Sequence, residues 1–263
     1  MHISNSVIIV TGASAGIGRA TAVSLAQRGA NVVITARRQE RLAALAAELE
    51  PYPGRCFLLA GDIGDTAFAR ELVAQTVREF GRVDVLVNNA GLGHQSALAA
   101  MPLADVQTIF NVNVLGLLAA TQAAIPHMQQ QGQGQIINVS SIVGQRPLPF
   151  SAMYCASKTA VNFLSRSLRM ELRHDKITVT LVYPGLTTTE FADAKLGKPG
   201  ANRFGMRGVA PERVAAKIAT AIEKQKTEVY ITPIDWAFTH LNRLFPRTVD
   251  WFVARAMKLA SQP

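Results

Sequence analysis

Three residues in the second half of the chain have the types and spacing to hand a proton back and forth: Ser141, Tyr154 and Lys158. Tyr154 and Lys158 stand four positions apart in SAMYCASKTAVNFLSRSLRMEL, which has helical periodicity, so both side chains share one face. An ordinary phenol titrates at about 10 and exchanges its proton poorly at neutral pH. A neighbouring ammonium stabilises the phenolate, and about 4 kcal/mol of differential stabilisation would bring the pKa to about 7. Tyr154 would then serve as general acid in one direction and general base in the other. Ser141, just after the apolar run INV, could hold the oxygen that takes the proton. A Tyr-x-x-x-Lys pair alone is common on helices, so its weight depends on the elements around it.

Those elements alternate. Short β-branched runs, SVIIVT (6–11), NVVIT (31–35), RCFLLA (55–60), VDVLVN (83–88), QIINVS (135–140), ITVTLVY (177–183) and EVYI (228–231), are separated by helix-length segments. The helical segments include Ile17–Arg28, Arg41–Glu50, Thr66–Phe80 and Ala210–Lys226, with Gly29 and Gly81 where C-caps would fall. Most of the runs are apolar throughout, as strands buried on both faces of a parallel sheet must be. The alternation predicts right-handed crossovers and one α/β domain, a Rossmann-like doubly wound parallel sheet of about seven strands. The stretch QQQGQGQ (129–135) is expected to be a surface connection. Residues 1–233 form the predicted dinucleotide-binding and catalytic domain, and 234–263 a C-terminal amphipathic helical extension.

The first run leads directly into TGASAGIG and then a helix. Gly12, Gly16 and Gly18 let the backbone turn tightly and approach a pyrophosphate, which the helix N-terminus would attract; a plain tight turn is the bland alternative. After the second run, an acidic residue would accept an adenosine ribose and repel a 2′-phosphate. That place holds Ala36, followed by Arg37 and Arg38. Cations opening a helix oppose its macrodipole by roughly 0.3–1 kcal/mol, and a bound phosphate would reverse that. With Ser14 as a further donor, the expected cofactor is NADP(H), ahead of NAD.

With these pieces the chain resembles the short-chain dehydrogenase/reductase family, over nearly its whole length to about residue 232. TGASAGIG (11–18), GDI (61–63), NNAG (88–91), VNVLG (112–116), SSIVG (140–144), YCASK (154–158) and PGLTTT (184–189) occur in the family's order, with thirteen positions from Ser141 to Tyr154. The resemblance implies a catalytic set of Asn113, Ser141, Tyr154 and Lys158. Ser141 would hold the substrate oxygen and Tyr154 exchange the proton. Lys158 would lower the phenol pKa and hold the nicotinamide ribose, and Asn113 would anchor a relay water. Ser14, Ile17, Asp62, Ile63, Asn89, Ala90 and Gly91 would line the cofactor cleft, with Asp62 at the adenine. Asp84 reads as structural. Pro184, Gly185 and Thr187 or Thr189 would bracket the nicotinamide, the three threonines leaving the register open.

The same resemblance assigns the substrate pocket to Leu92, His94, Val143, Leu148, Phe150, Met153, Leu186 and Phe191, an apolar lining. His94 is either a polarising group or pocket wall. The stretch FADAKLGKPGANRFGMRG is Gly-rich and basic, as a lid would be. The expected activity is hydride transfer between NADP(H) and a carbonyl or secondary alcohol of a hydrophobic substrate, steroid-, retinoid- or aryl-ketone-like. A 3-oxoacyl-thioester reductase docking an acyl carrier protein, or a non-catalytic NADP-binding sensor, are the rivals. A homodimer or homotetramer through helices around 112–128 and 152–172 is implied.

Composition narrows the rest. With 49% hydrophobic and 17% charged residues, disorder and fibrous structure are excluded. The net charge of +9 is spread along the chain without a basic, aromatic-interleaved stripe, so nucleic acid is not expected. Two cysteines, no secretory signal, no apolar run of about 18 residues and no metal-ligand cluster lead to an expected cytoplasmic, metal-free protein. In the extension, Val249, Phe252, Val253, Ala256 and Leu259 follow helical spacing and should pack on the pocket or on a partner. The less favoured alternative is peripheral membrane contact through Trp236, Phe238, Trp251 and Phe252 beside Arg243, Arg247 and Lys258, which liposome flotation with and without 234–263 would decide.

Overall fold

Every apolar run carries a strand in the computed structural model, which describes residues 1–192, 195–197 and 208–260. The chain opens with β1 (Val7–Thr11), α1 (Gly16–Ala26), β2 (Asn31–Ala36), α2 (Gln39–Leu49), β3 (Cys56–Ala60), α3 (Thr66–Phe80) and β4 (Val85–Asn88). A two-residue strand β5 (His94–Gln95) precedes α4 (Leu103–Phe110), a π-helical stretch at Asn111–Gly116 and α5 (Leu117–Gln131). Then come β6 (Gly134–Val139), α6 (Ala152–Glu171), β7 (Ile177–Tyr183), the short β8 (Leu196–Gly197), α7 (Pro211–Lys224) and β9 (Glu228–Tyr230). The chain ends in α8 (Pro233–Leu244) and α9 (Pro246–Ala260).

Seven strands form one parallel sheet in the order β3-β2-β1-β4-β6-β7-β9. Alternate strand residues feed opposite layers. Ile8, Val10 and Ile34 join Leu25, Leu45 and Ile218 on the face covered by α1, α2 and α7. Ile9, Val33 and Leu86 join Leu72, Val73 and Met128 under α3 and α5. That two-sided burial is why the strands read as continuous apolar runs. The order reverses between β1 and β4, so the loops leaving their carboxyl ends diverge and open a crevice, the place where such sheets bind ligands.

Several expectations need correcting. Gly81 is the left-handed C-cap of α3, but α1 is capped by Gln27, and Gly29 (φ 79°) makes the turn into β2. QQQGQGQ is not a mere surface connection. Gln131 exchanges hydrogen bonds with both backbone groups of Val83, and fully buried Gln135 donates to Thr180 and to the Ala221 carbonyl. The amides tie α5 to the chain entering β4, and β6 to β7 and α7, work that a polar run hides in sequence. Leu103–Gln131 is one continuous 29-residue helix, long and apolar enough by composition to cross a membrane. Just over half of its apolar window is buried against the sheet and α3, which is how a core helix reads.

The extension packs on its own domain. Thr232 and Asp235 form a capping box at α8, and Pro246 starts α9. Val249 and Val253 are buried with Leu148 and Phe238, while Phe252, expected on that face, is exposed along with Trp236, Phe245 and Trp251. The side chains of Ala256, Lys258 and Leu259 fall outside the described residues. Asp250 reaches back 3.1 Å to Arg146, whose side chain is almost fully buried in the loop after Ser141.

Candidate active site

The crevice between β1 and β4 is floored by glycines that nothing larger could replace. Gly12 and Gly16 adopt φ of 68° and 55°, the left-handed region that glycine enters freely. A Cβ on Gly18 would lie 2.3 Å from the Gly12 carbonyl and 2.4 Å from Asn89 Nδ2. Asn89 donates to the Thr11 carbonyl at 2.8 Å, so the NNAG loop braces the glycine loop. The side chain of Asn89 is thus structural, and Ala90 and Gly91 carry the loop across the cleft. α1 begins at Ala15 and Gly16 with no side-chain cap and no acidic residue in its first turn, leaving its N–H groups for an anion. Ile17 packs partly into the core beneath. A dinucleotide pyrophosphate fits this cradle.

At the far end of the cradle, Arg38 donates to Ser14 Oγ through Nη2 at 3.0 Å and Nε at 3.3 Å. Arg37 is exposed. Asp62 is exposed, its Oδ1 accepting the Gly64 N–H at 2.8 Å, and Ile63 is buried behind it against the helix at Gly116. Asp84 accepts the Val7 N–H and pairs with Arg82, the structural role expected of it.

The chemical end is built on α6 and the loop after β6. Tyr154 and Lys158 share a face of α6, and Ser141 follows β6, so residues from two parts of the chain meet at the carboxyl end of the sheet. The Ser141 side chain lies beside the Tyr154 hydroxyl, close enough to favour its ionised form. Ser141 Oγ also donates to the Pro184 carbonyl at 3.2 Å and accepts the Val143 N–H at 3.3 Å. The Tyr154 ring packs on Phe191, with centroids 5.6 Å apart. Lys158 Nζ donates to the Val139 carbonyl at 2.9 Å.

The electrostatics correct one expectation. Burial, and then the neighbouring Cys155, push the Tyr154 phenol well above its ordinary range, with the Ser141 side chain working against them. Lys158 is not what sets the phenol here, because its ammonium is directed at the end of β6. Burial lowers that ammonium to about 8. The lysine, not the tyrosine, is the group brought near neutrality by the protein alone.

Asn113 sits in the π-helical stretch, a wide turn that often marks functional sites. Its Nδ2 donates to the Leu92 carbonyl and to Ser157 Oγ, both at 2.9 Å, and its Oδ1 accepts the Leu92 N–H at 2.7 Å. It therefore positions the NNAG loop against α6. A Cβ on Gly91 would lie 3.3 Å from Asn113 Oδ1 and 3.4 Å from Lys158 Nζ, so both atoms border one small space. Ser157, which completes this contact, was not singled out in the sequence; its position next to Lys158 was the only clue.

The loop after β7 gives each of the three threonines a different neighbour. Thr187 bonds back to the Gly185 carbonyl, Thr188 to the Gly208 carbonyl, and the Thr189 methyl rests 3.0 Å from where a Gly16 Cβ would stand. Thr189 is thus the threonine over the glycine loop. Gly185 is needed because a Cβ would strike Asp235 at 2.2 Å.

Of the expected pocket residues, Val143, Met153 and Leu186 remain partly or largely exposed around Ser141 and Tyr154. Leu148 is turned instead into the cluster with Val249 and Val253, a contact made possible only by the extension. Phe150 is at the surface with φ 63°. His94 is buried and pairs through Nε2 with Asp105 Oδ2 at 3.1 Å, a partner the sequence did not indicate, while its Nδ1 is buried without one. It belongs to the β5–β8 ladder, as wall rather than as a polarising group. Residues 193–194 and 198–207 of the expected lid lie outside the described residues.

Comparison with known proteins agrees with this geometry. A family described as short chain dehydrogenase matches residues 6–199. A 3-oxoacyl-[acyl-carrier-protein] reductase of Thermotoga maritima is 35% identical over 226 residues, covering 83% of this chain and 90% of its own. A short-chain dehydrogenase/reductase of Burkholderia phymatum, solved with NAD, is similar in fold with a TM-score of 0.85 at 24% identity, over 94% of this chain and 96% of that one. An alcohol dehydrogenase of Thermococcus sibiricus, solved with 5-hydroxy-NADP, gives a TM-score of 0.76 at 28% identity, over 86% and 94%. The glycine cradle at the sheet crossover, the Ser141–Tyr154 contact and the matched family together place this chain in the short-chain dehydrogenase/reductase family, as an oxidoreductase of the nicotinamide-dependent kind.

Proposed function

We propose that the protein is an NADPH-dependent carbonyl reductase, in reverse an alcohol dehydrogenase, acting on a hydrophobic ketone or aldehyde. The observation that carries this reading is the Tyr154 phenol, held protonated by burial with the Ser141 side chain beside it. A substrate carbonyl oxygen would replace that mutual contact, accepting from both hydroxyls. When bound, the cofactor supplies the hydride to the carbonyl carbon. Tyr154 gives its proton to the oxygen as charge develops there and Ser141 stabilises that charge, while Lys158, on leaving the Val139 carbonyl, would hold the nicotinamide ribose and favour the phenolate left behind. Arg38 with Ser14, and the lack of an acidic residue at Ala36, favour the 2′-phosphate of NADP(H). Val143, Met153, Leu186 and Phe191 favour an apolar substrate.

Exposed Leu115, Phe163, Leu164 and Met170 on the helices around α5 and α6 support a homo-oligomer. A 3-oxoacyl thioester is the second substrate reading, favoured by the Thermotoga relative's printed activity. NADPH oxidation followed across hydrophobic ketones and an acetoacetyl thioester separates the two. Tyr154→Phe should lower turnover about 10²–10⁴-fold with NADPH binding kept. Unchanged turnover in that variant, or no reduction of any carbonyl by the wild type, overturns the reading.

A further inference from the structure

Arg38, expected at the 2′-phosphate, and Arg41, one turn later on α2, already hold an anion from the protein itself. Glu190, in the short turn Glu190–Ala192 after the threonines, accepts from Arg41 Nη1 at 2.7 Å and 2.6 Å and from Arg38 Nη1 at 3.1 Å. Arg38 is at the same time bonded to Ser14. Arg41, Ser14, Gly16, Arg19 and Glu190 border one cleft of about 270 Å³ beside the glycine loop. Arg41, and after it Arg38, hold the Glu190 carboxyl below its ordinary range, so it is an anion at neutral pH.

Glu190 is also mechanically connected. Thr189, before it, rests over Gly16, and Phe191, after it, packs on Tyr154 and reaches within 3.0 Å of where a Gly93 Cβ would stand. Leu196 then donates to the Gly93 carbonyl at 3.0 Å and pairs with His94. One turn of chain thus touches the phosphate-facing arginines on one side and the acid/base tyrosine on the other.

We propose that Glu190 is a cofactor-selectivity residue: a carboxylate that competes with the 2′-phosphate of NADP(H) for Arg38 and Arg41, so that seating the phosphate unlatches the turn bearing Phe191 from Tyr154. The proposal rests on the NADPH reading and adds Arg41 as a phosphate ligand and Glu190 as its rival. Two guanidiniums cannot fully serve a phosphate dianion and a carboxylate at once, because the anions repel at contact distance. An adenosine without the 2′-phosphate leaves the latch in place. The pair is solvent-exposed, so the competition is modest in size.

The test uses the whole chain and two probes, adenosine 2′,5′-bisphosphate and 5′-AMP, titrated calorimetrically. Glu190→Gln should tighten the bisphosphate roughly three- to fivefold and leave 5′-AMP unchanged, as removal of an exposed charge pair would. Arg41→Ala should weaken the bisphosphate and shrink the gain from Glu190→Gln in the double variant to the part that passes through Arg38. By hydrogen exchange, the bisphosphate, and not 5′-AMP, should speed exchange at Phe191 and Leu196. Equal or weaker bisphosphate binding by Glu190→Gln overturns the proposal while leaving the cofactor reading intact. Should the wild type bind both probes equally, the NADPH reading falls. The Glu190 proposal is then decided by whether Glu190→Gln gains a bisphosphate preference (upheld) or does not (overturned).

Discussion

Lys158 is the ionisable group of the site whose charge lies nearest the working range. Its ammonium is buried and lowered to about 8, while the Tyr154 phenol is raised, so on an upward pH scan the lysine loses its proton before the tyrosine does. Carbonyl reduction needs the phenol protonated and the ammonium charged. Since the folded pKa of Lys158 is depressed, the competent form is full below about 8 and drains away above it. We therefore expect kcat/KM for reduction to be flat towards acid and to fall about tenfold per pH unit above the lysine titration. Lys158→Arg, which cannot deprotonate in this range, should push that limb upward even if its plateau is lower. A limb that stays put in the arginine variant would assign it to another group. The placing of Tyr154 and Lys158 on one helix was legible because four-residue spacing is local information. The direction of the phenol shift was not, since burial sets it, and burial is decided by tertiary packing around α6.

At the scale of elements, the strands were readable because burial on both faces leaves a continuous apolar signature, and the glycine loop because a tight turn tolerates few residues. Gly18→Ala tests the second point. Its methyl would collide with the Gly12 carbonyl and Asn89, backbone and brace alike. A loss of about 1–3 kcal/mol in unfolding free energy is expected, with weakened dinucleotide binding. Unchanged thermal and chemical denaturation would show that the loop is looser than its contacts imply. The β5–β8 ladder left no trace in the sequence, because two-residue strands about a hundred positions apart have no periodicity to read. The same holds for the reach of Glu190 across to α2 and for the turning of Leu148 towards the extension, which pairings far along the chain decide.

For the molecule as a whole, the extension is tied to the substrate side rather than appended to it. Arg146 is buried, its Nε is without a partner, and its guanidinium depends on the Pro147 carbonyl and on Asp250 of α9. Asp250→Asn should cost about 1 kcal/mol, a figure kept small because the carboxylate is mostly exposed. Because Arg146 lies in the loop that follows Ser141, the variant should raise KM for a hydrophobic ketone more than it lowers kcat. A change in kcat alone would place the effect on the chemistry instead. The long helix Leu103–Gln131 has a consequence of another kind. During synthesis it emerges before β6 and β7, two of the strands that complete the sheet over which it lies. Until β6 arrives, α3 and the earlier strands cover only part of its apolar side, and the uncovered part is the kind of surface that chaperones bind on nascent chains. Full burial of that helix therefore waits on sequence that follows it, because the side facing β6 closes only when that strand has paired into the sheet.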